Sequence, residues 1–167
     1  MSKPHQKFDL TYMMNRSTLF LITLFVLGFA VSRAGAQTAE IRFEKNTVER
    51  GSTVRGVVVL DLPEGLHVNS NRPESEYLIP TTVVVKASGI RAGKIRYPKG
   101  RDRTFKFSSD ALNVYEGRVE FPFTLTIPKQ LRNRTIQVSA KVDFQACTDE
   151  VCYLPDSRTA GSSIRIR

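Results

Sequence analysis

The chain of 167 residues carries 25 basic and 16 acidic side chains, a formal charge of +9, with 41% hydrophobic residues. That hydrophobic share excludes a disordered chain, which could not bury enough apolar surface to fold. The basic residues are spread along the sequence and not gathered in one stretch, so no electrostatic footprint for a nucleic acid stands out.

The first 16 residues are polar with a net positive charge, residues 19–31 form an apolar run, and Ala34-Gly35-Ala36 follows. This order is that of a secretory signal peptide over residues 1–36, cut after Ala36. The apolar run falls short of the roughly 20 residues that a comfortable bilayer span needs. An uncleaved N-terminal membrane anchor is the alternative. Residues 37–167 are then one exported domain, periplasmic or secreted, in a compartment where disulfides persist.

Beyond residue 37 the dominant pattern has period two, the signature of strands with one buried face. Ile41 and Phe43 share a face in residues 39–44, and Val54, Val58, Leu60 and Leu62 are in phase in residues 53–62. Pro63-Glu64-Gly65 makes a turn into the short strand Leu66-His67-Val68. A polar loop over 69–76 leads to the β-branched run 81–87, which suits a buried strand. Ser88-Gly89 turns the chain into residues 90–97, and a basic, aromatic loop runs from Pro98 to about Leu112.

In residues 117–127, Val119, Phe121, Phe123, Leu125 and Ile127 alternate with Glu120, Pro122, Thr124 and Thr126. Pro122 cannot donate to a ladder, which favours an edge or a bulge there. From 135 to 146, Ile136, Val138, Ala140, Val142, Phe144 and Ala146 face one way, and Gln145 and Cys147 fall on the other face. Ile164 and Ile166 close the chain in phase. Eight or nine short strands with turns between them and no sustained 3.6 period predict an all-β, antiparallel β-sandwich.

Cys147 and Cys152 are the only cysteines. Four residues separate them, so a tight turn can bring their sulfurs within bonding reach, at the end of a β-ribbon and close to solvent. A staple closing so short a loop removes only about 2 kcal/mol of unfolded-state entropy, and a domain of this size does not obviously need it. A redox couple would use the same geometry, one sulfur exchanging with a partner and the other resolving the mixed disulfide. Asp149 and Glu150 between them would raise thiolate pKa values, which fits a carrier whose partner does the activating. Spacing alone leaves staple and redox couple open.

His67 is the only histidine beyond residue 37, and the expectation for it is a surface or hydrogen-bonded strand position. Two thiols and one imidazole fall short of the four ligands of a structural zinc site, so neither metal nor cofactor is expected.

Phe144-Gln145-Ala146-Cys147 followed by Cys152-Tyr153-Leu154-Pro155 resembles the cysteine region of the N-terminal periplasmic domain of the thiol:disulfide interchange protein DsbD. Gly65-Leu66-His67-Val68-Asn69-Ser70-Asn71, Tyr77-Leu78-Ile79-Pro80, Tyr97-Pro98-Lys99-Gly100 and Val114-Tyr115-Glu116-Gly117 are similar to that family as well. The resemblance covers about residues 40–166. It implies an immunoglobulin-like fold with both cysteines on neighbouring strands. It also implies a role in passing electrons from a thioredoxin-like donor to periplasmic disulfide oxidoreductases. Cys152 would form the mixed disulfide and Cys147 would resolve it. A cap loop would lie over residues 101–111, with Phe105 or Phe107 as the covering ring. A membrane electron transporter would act in trans. The alternative is a non-catalytic binding or structural module with a permanent hairpin disulfide.

Overall fold

A computed structural model describes residues 36–106, 108 and 110–167. The expected signal peptide therefore lies almost wholly outside the described residues, and Phe107 lies outside them too.

Eleven strands make up the described fold: β1 (Thr38–Phe43), β2 (Thr47–Val48), β3 (Thr53–Asp61), β4 (His67–Asn69), β5 (Thr82–Ala87), β6 (Arg101–Arg103), β7 (Leu112–Glu116), β8 (Arg118–Thr126), β9 (Thr135–Phe144), β10 (Ala146–Cys147) and β11 (Asp156–Ile166). They form sheets of order β1-β3-β8, β2-β11-β9-β5 and β10-β4-β7-β6. The architecture is an all-β immunoglobulin-like sandwich. Its strand pairs are antiparallel except β2 with β11, which run parallel.

Alternation sets the core. Val119, Phe121, Phe123 and Leu125 of β8 are buried, as are Ile136, Val138, Ala140, Val142 and Phe144 of β9. They meet Val54, Val58 and Leu60 of β3 and Ile164 of β11 in one cluster. Each large apolar side chain so buried contributes about 1.5–3 kcal/mol. Phe121 is the hub, with the rings of Tyr97 and Tyr115 set edge-on at 5.6 and 5.8 Å.

Several expectations need correction. The run 82–87 is not a buried strand. As β5 it lies at the edge of its sheet, with Val83 buried and Val84 48% exposed. Residues 90–97 run beside β8 without forming a regular strand. They touch it through the Ala92–Leu125 bridge and through N–H donation from Gly93 to Thr124 and from Arg96 to the Pro122 carbonyl. Pro122 therefore turns its missing N–H away from β3, the edge condition its chemistry requires. The last strand begins at Asp156, not Ser163, and pairs with β9 along its whole length from Asp156–Phe144 to Arg165–Thr135. Its small and polar residues hide that pairing from a hydrophobicity pattern.

The small sheet β10-β4-β7-β6 decides where the site lies. Ala146, Val68 and Tyr115 are cross-strand partners and join the main core. The neighbouring residues Cys147, His67 and Glu116 are also partners, so they project from the opposite face. That face is not open to water. Phe105, Leu112 and Val114 form a second apolar cluster with Leu78 packed against it. With both faces covered, β4 is buried throughout, and neither β4 nor β7 shows clean alternation.

Candidate functional site

The site is built on the excursion between β9 and β11. Phe144 and Asp156 are paired, and residues 145–155 leave the large sheet between them. Ala146-Cys147 cross to the small sheet as β10 and pair with β4. Thr148-Asp149-Glu150-Val151 then turn. The Thr148 hydroxyl accepts from the N–H groups of Glu150 and Val151 at 3.2 and 3.1 Å. This is the local side-chain turn that Ser and Thr offer the backbone. On the return, Tyr153 N–H donates to the Ala146 carbonyl at 2.9 Å, and Thr148 N–H donates to Val151 at 2.8 Å. The Gln145 amide donates to the Tyr153 carbonyl at 2.9 Å and ties the base of the excursion.

Those two backbone bonds flank Cys147 and Cys152, which face each other as a non-hydrogen-bonded antiparallel pair. Such pairs bring Cα atoms closest, here 3.9 Å, and the two sulfurs form a disulfide. The ribbon-end geometry agrees with the sequence. The expected solvent exposure holds in part for Cys152 and fails for Cys147. Cys147 is 1% exposed, because the face opposite Ala146 is roofed. Cys152 is partly exposed.

The roof comes from the segment after β6. Phe105 is 5% exposed and stacks on His67, with ring centroids 3.9 Å apart and planes inclined by 13°. Arg103 pairs with Glu116 at 3.2 Å, and Lys106 reaches Glu150 of the cysteine turn at 3.4 Å. The latter pair is exposed at both ends, so it is worth only a fraction of a kcal/mol. Closure of the roof rests on the apolar cluster.

His67 lies on strand β4 and is 2% exposed, which removes the surface alternative of the expected strand position. Burial pushes its pKa below 6.5, Glu116 and Asp149 pull it upward, and Arg103 pushes it down. Its flanking residues Leu66 and Val68 are apolar, but they point to the opposite face, so the sequence carries no sign that the His67 face is covered. Its position opposite Cys147 is a matter of register, which the sequence does not state.

Exposed apolar residues adjoin the partly exposed Cys152 along the chain. Val151, Tyr153 and Leu154 are 53%, 51% and 86% exposed. Tyr77 and Ile79, also exposed, flank the Leu78 that packs under the roof. Among the described residues no group of three or more His, Cys, Asp or Glu is placed to hold a metal ion. No helix among them is long and apolar enough to cross a membrane.

Residues 35–163 match the family described as the N-terminal part of the thiol:disulfide interchange protein DsbD. No match to a curated protein was found. Among solved structures, the N-terminal periplasmic domain of ScsB from Proteus mirabilis is similar at 12% identity and a TM-score of 0.46. That match covers 72% of this chain and 43% of the ScsB domain, so the chain spans less than half that relative's length. Spo0M, the sporulation control protein from Bacillus subtilis, is similar at 13% identity and a TM-score of 0.40, covering 80% of this chain and 50% of that one. The seventh ScaB type I cohesin from Pseudobacteroides cellulosolvens is similar at 10% identity and a TM-score of 0.43, covering 78% and 92%.

Proposed function

The chain belongs to the family of DsbD N-terminal domains, and from that premise we propose that it is an exported carrier of two electrons. It takes them from a thioredoxin-like donor and passes them to periplasmic disulfide oxidoreductases, with a membrane electron transporter acting in trans. The observation that carries the proposal is the asymmetry of the pair. Cys147 is 1% exposed, while Cys152 is partly exposed and adjoins the exposed Val151, Tyr153 and Leu154 along the chain.

In the reduced protein the Cys152 thiolate attacks a disulfide sulfur of the oxidised partner, and one partner thiolate leaves. Cys147 then attacks Cys152 Sγ. The Cys147–Cys152 bond forms, the bond to the partner breaks, and the partner departs with both electrons as a dithiol. The donor dithiol restores the pair by the reverse sequence. Apolar side chains adjoining Cys152 offer a partner the desolvated contact that a short-lived complex needs. Phe105 serves as the cap, excluding small thiols until a partner displaces it.

The test has two arms. The reduction potential should lie well above about −300 mV, the range of permanent staples. A Cys147→Ala variant mixed with an oxidised thioredoxin-fold protein should accumulate a covalent complex through Cys152. A potential below that range together with no adduct would leave a binding module with a permanent disulfide.

A further inference from the structure

Four extended segments meet in a single transverse row. Cys152 is paired with Cys147, Cys147 with His67, and His67 with Glu116. Directly opposed residues on antiparallel strands point to the same face with Cβ atoms about 4.5–5.5 Å apart. His67 and Cys147 thus share one face of the small sheet, 2% and 1% exposed, and Phe105 stacks on His67.

That placement answers a chemical difficulty in the resolving step. Only a thiolate attacks a disulfide, and burial among apolar groups holds a thiol in its protonated form. Cys147 is 1% exposed in the closed structure. A base on its own face is placed to take the proton. Asp149 and Glu150 are on the exposed turn, and Glu150 is paired with Lys106. Glu116 is the next residue along the row beyond His67 and is paired with Arg103.

We propose that His67 accepts the Cys147 thiol proton as that sulfur resolves the mixed disulfide. The inference rests on the exchange reaction above and assigns it a proton acceptor. The Cys147 S–H bond breaks and its proton passes to the imidazole. The sulfur's electron pair forms the bond to Cys152 Sγ, and the partner's sulfur leaves with the electrons of the broken bond. The imidazolium returns its proton to the leaving thiolate or to solvent. Burial keeps the imidazole neutral, and so ready to accept, near neutral pH. The charges facing it are Glu116 on β7 and Asp149 in the cysteine turn, which favour the imidazolium, and Arg103 on β6, which opposes it.

The experiment uses the reduced chain and the aromatic disulfide 5,5′-dithiobis(2-nitrobenzoate). Cys152 releases one coloured thiolate on forming the mixed disulfide, and Cys147 displaces the second in a step independent of reagent concentration. In the unaltered protein the second release should be level above the imidazole pKa and fall below it. In His67→Gln it should slow about 100-fold at neutral pH, within the range of general base catalysis, and rise about tenfold per pH unit. The first release should change by less than about twofold. Equal second-phase rates in the variant and the unaltered protein between pH 5 and 9 would overturn the proposal. So would a tenfold rise per pH unit through neutrality in the unaltered protein, a result that stands even if His67→Gln and His67→Asn fail to fold. A His67-dependent second release without any adduct to a thioredoxin-fold protein would keep the proton acceptor and remove the carrier function.

Discussion

Phe105 lies face to face with His67, ring centroids 3.9 Å apart and planes 13° from parallel, and His67 is the strand partner of Cys147. The segment after β6 is therefore held to the sheet by a stacked pair, one member of which is the strand partner of the buried cysteine. Much of the behaviour expected of this protein follows from that contact.

Truncating the roof should open the site. Phe105→Ala is expected to cost about 3 kcal/mol of stability, the usual loss for a buried aromatic ring. It should speed reduction of the Cys147–Cys152 bond by a small thiol such as glutathione about tenfold, equivalent to about 1.4 kcal/mol of barrier. Phe105→Leu should fall between. Stopped-flow reduction and urea unfolding measure the two effects, and an unchanged reduction rate in Phe105→Ala would remove Phe105 as a cap.

Acid should weaken the fold through His67. Its pKa is lowered from 6.5 in the folded state by burial, so the unfolded chain binds the proton more readily. Stability then rises with pH where the unfolded state holds more protons. The contribution is fully present above pH 6.5 and is lost as pH falls below it. Urea midpoints measured across that window should drop toward acid in the unaltered protein and show a flatter course in His67→Gln.

Gly56 on β3 leaves room for two rings of its own sheet, from its strand partners Phe43 on β1 and Phe123 on β8. A Cβ there would come within 2.5 Å of Phe123 Cζ and 2.8 Å of Phe43 Cε1, two rings that meet edge to face. Gly56→Ala should destabilise by about 1–3 kcal/mol, as overpacking does, and leave the reduction potential unchanged. A shifted potential would mean that the main core and the site are mechanically coupled.

Reduction should leave the sandwich standing. The disulfide closes a short loop worth about 2 kcal/mol on the entropic formula, while all of the main core except Ala146 lies outside that loop's strand β10. Circular dichroism of the dithiol form should match that of the oxidised form, with a urea midpoint lowered by about that free energy. Unfolding on reduction would identify the bond as a structural staple.

The strands of the main core were legible because each buries one face. In β8 and β9, hydrophobicity alternates residue by residue, and the buried sets read from sequence and seen in space coincide. The small sheet was not legible, for the converse reason. Val114 and Tyr115 are adjacent and both buried, one under the roof and one against the main core, so no period appears. The alternation did place Cys147 on the face opposite Ala146. Its burial required knowing that Phe105 and Leu78, distant in sequence, cover that face.

From its residues alone the chain determined an all-β sandwich and two cysteines at a ribbon end, because strand period and sulfur spacing are local properties. The tertiary structure alone decided which cysteine meets solvent and which pairs with His67. Those relations depend on register and on segments tens of residues apart, and a hydrophobic pattern carries no information about which strands become neighbours.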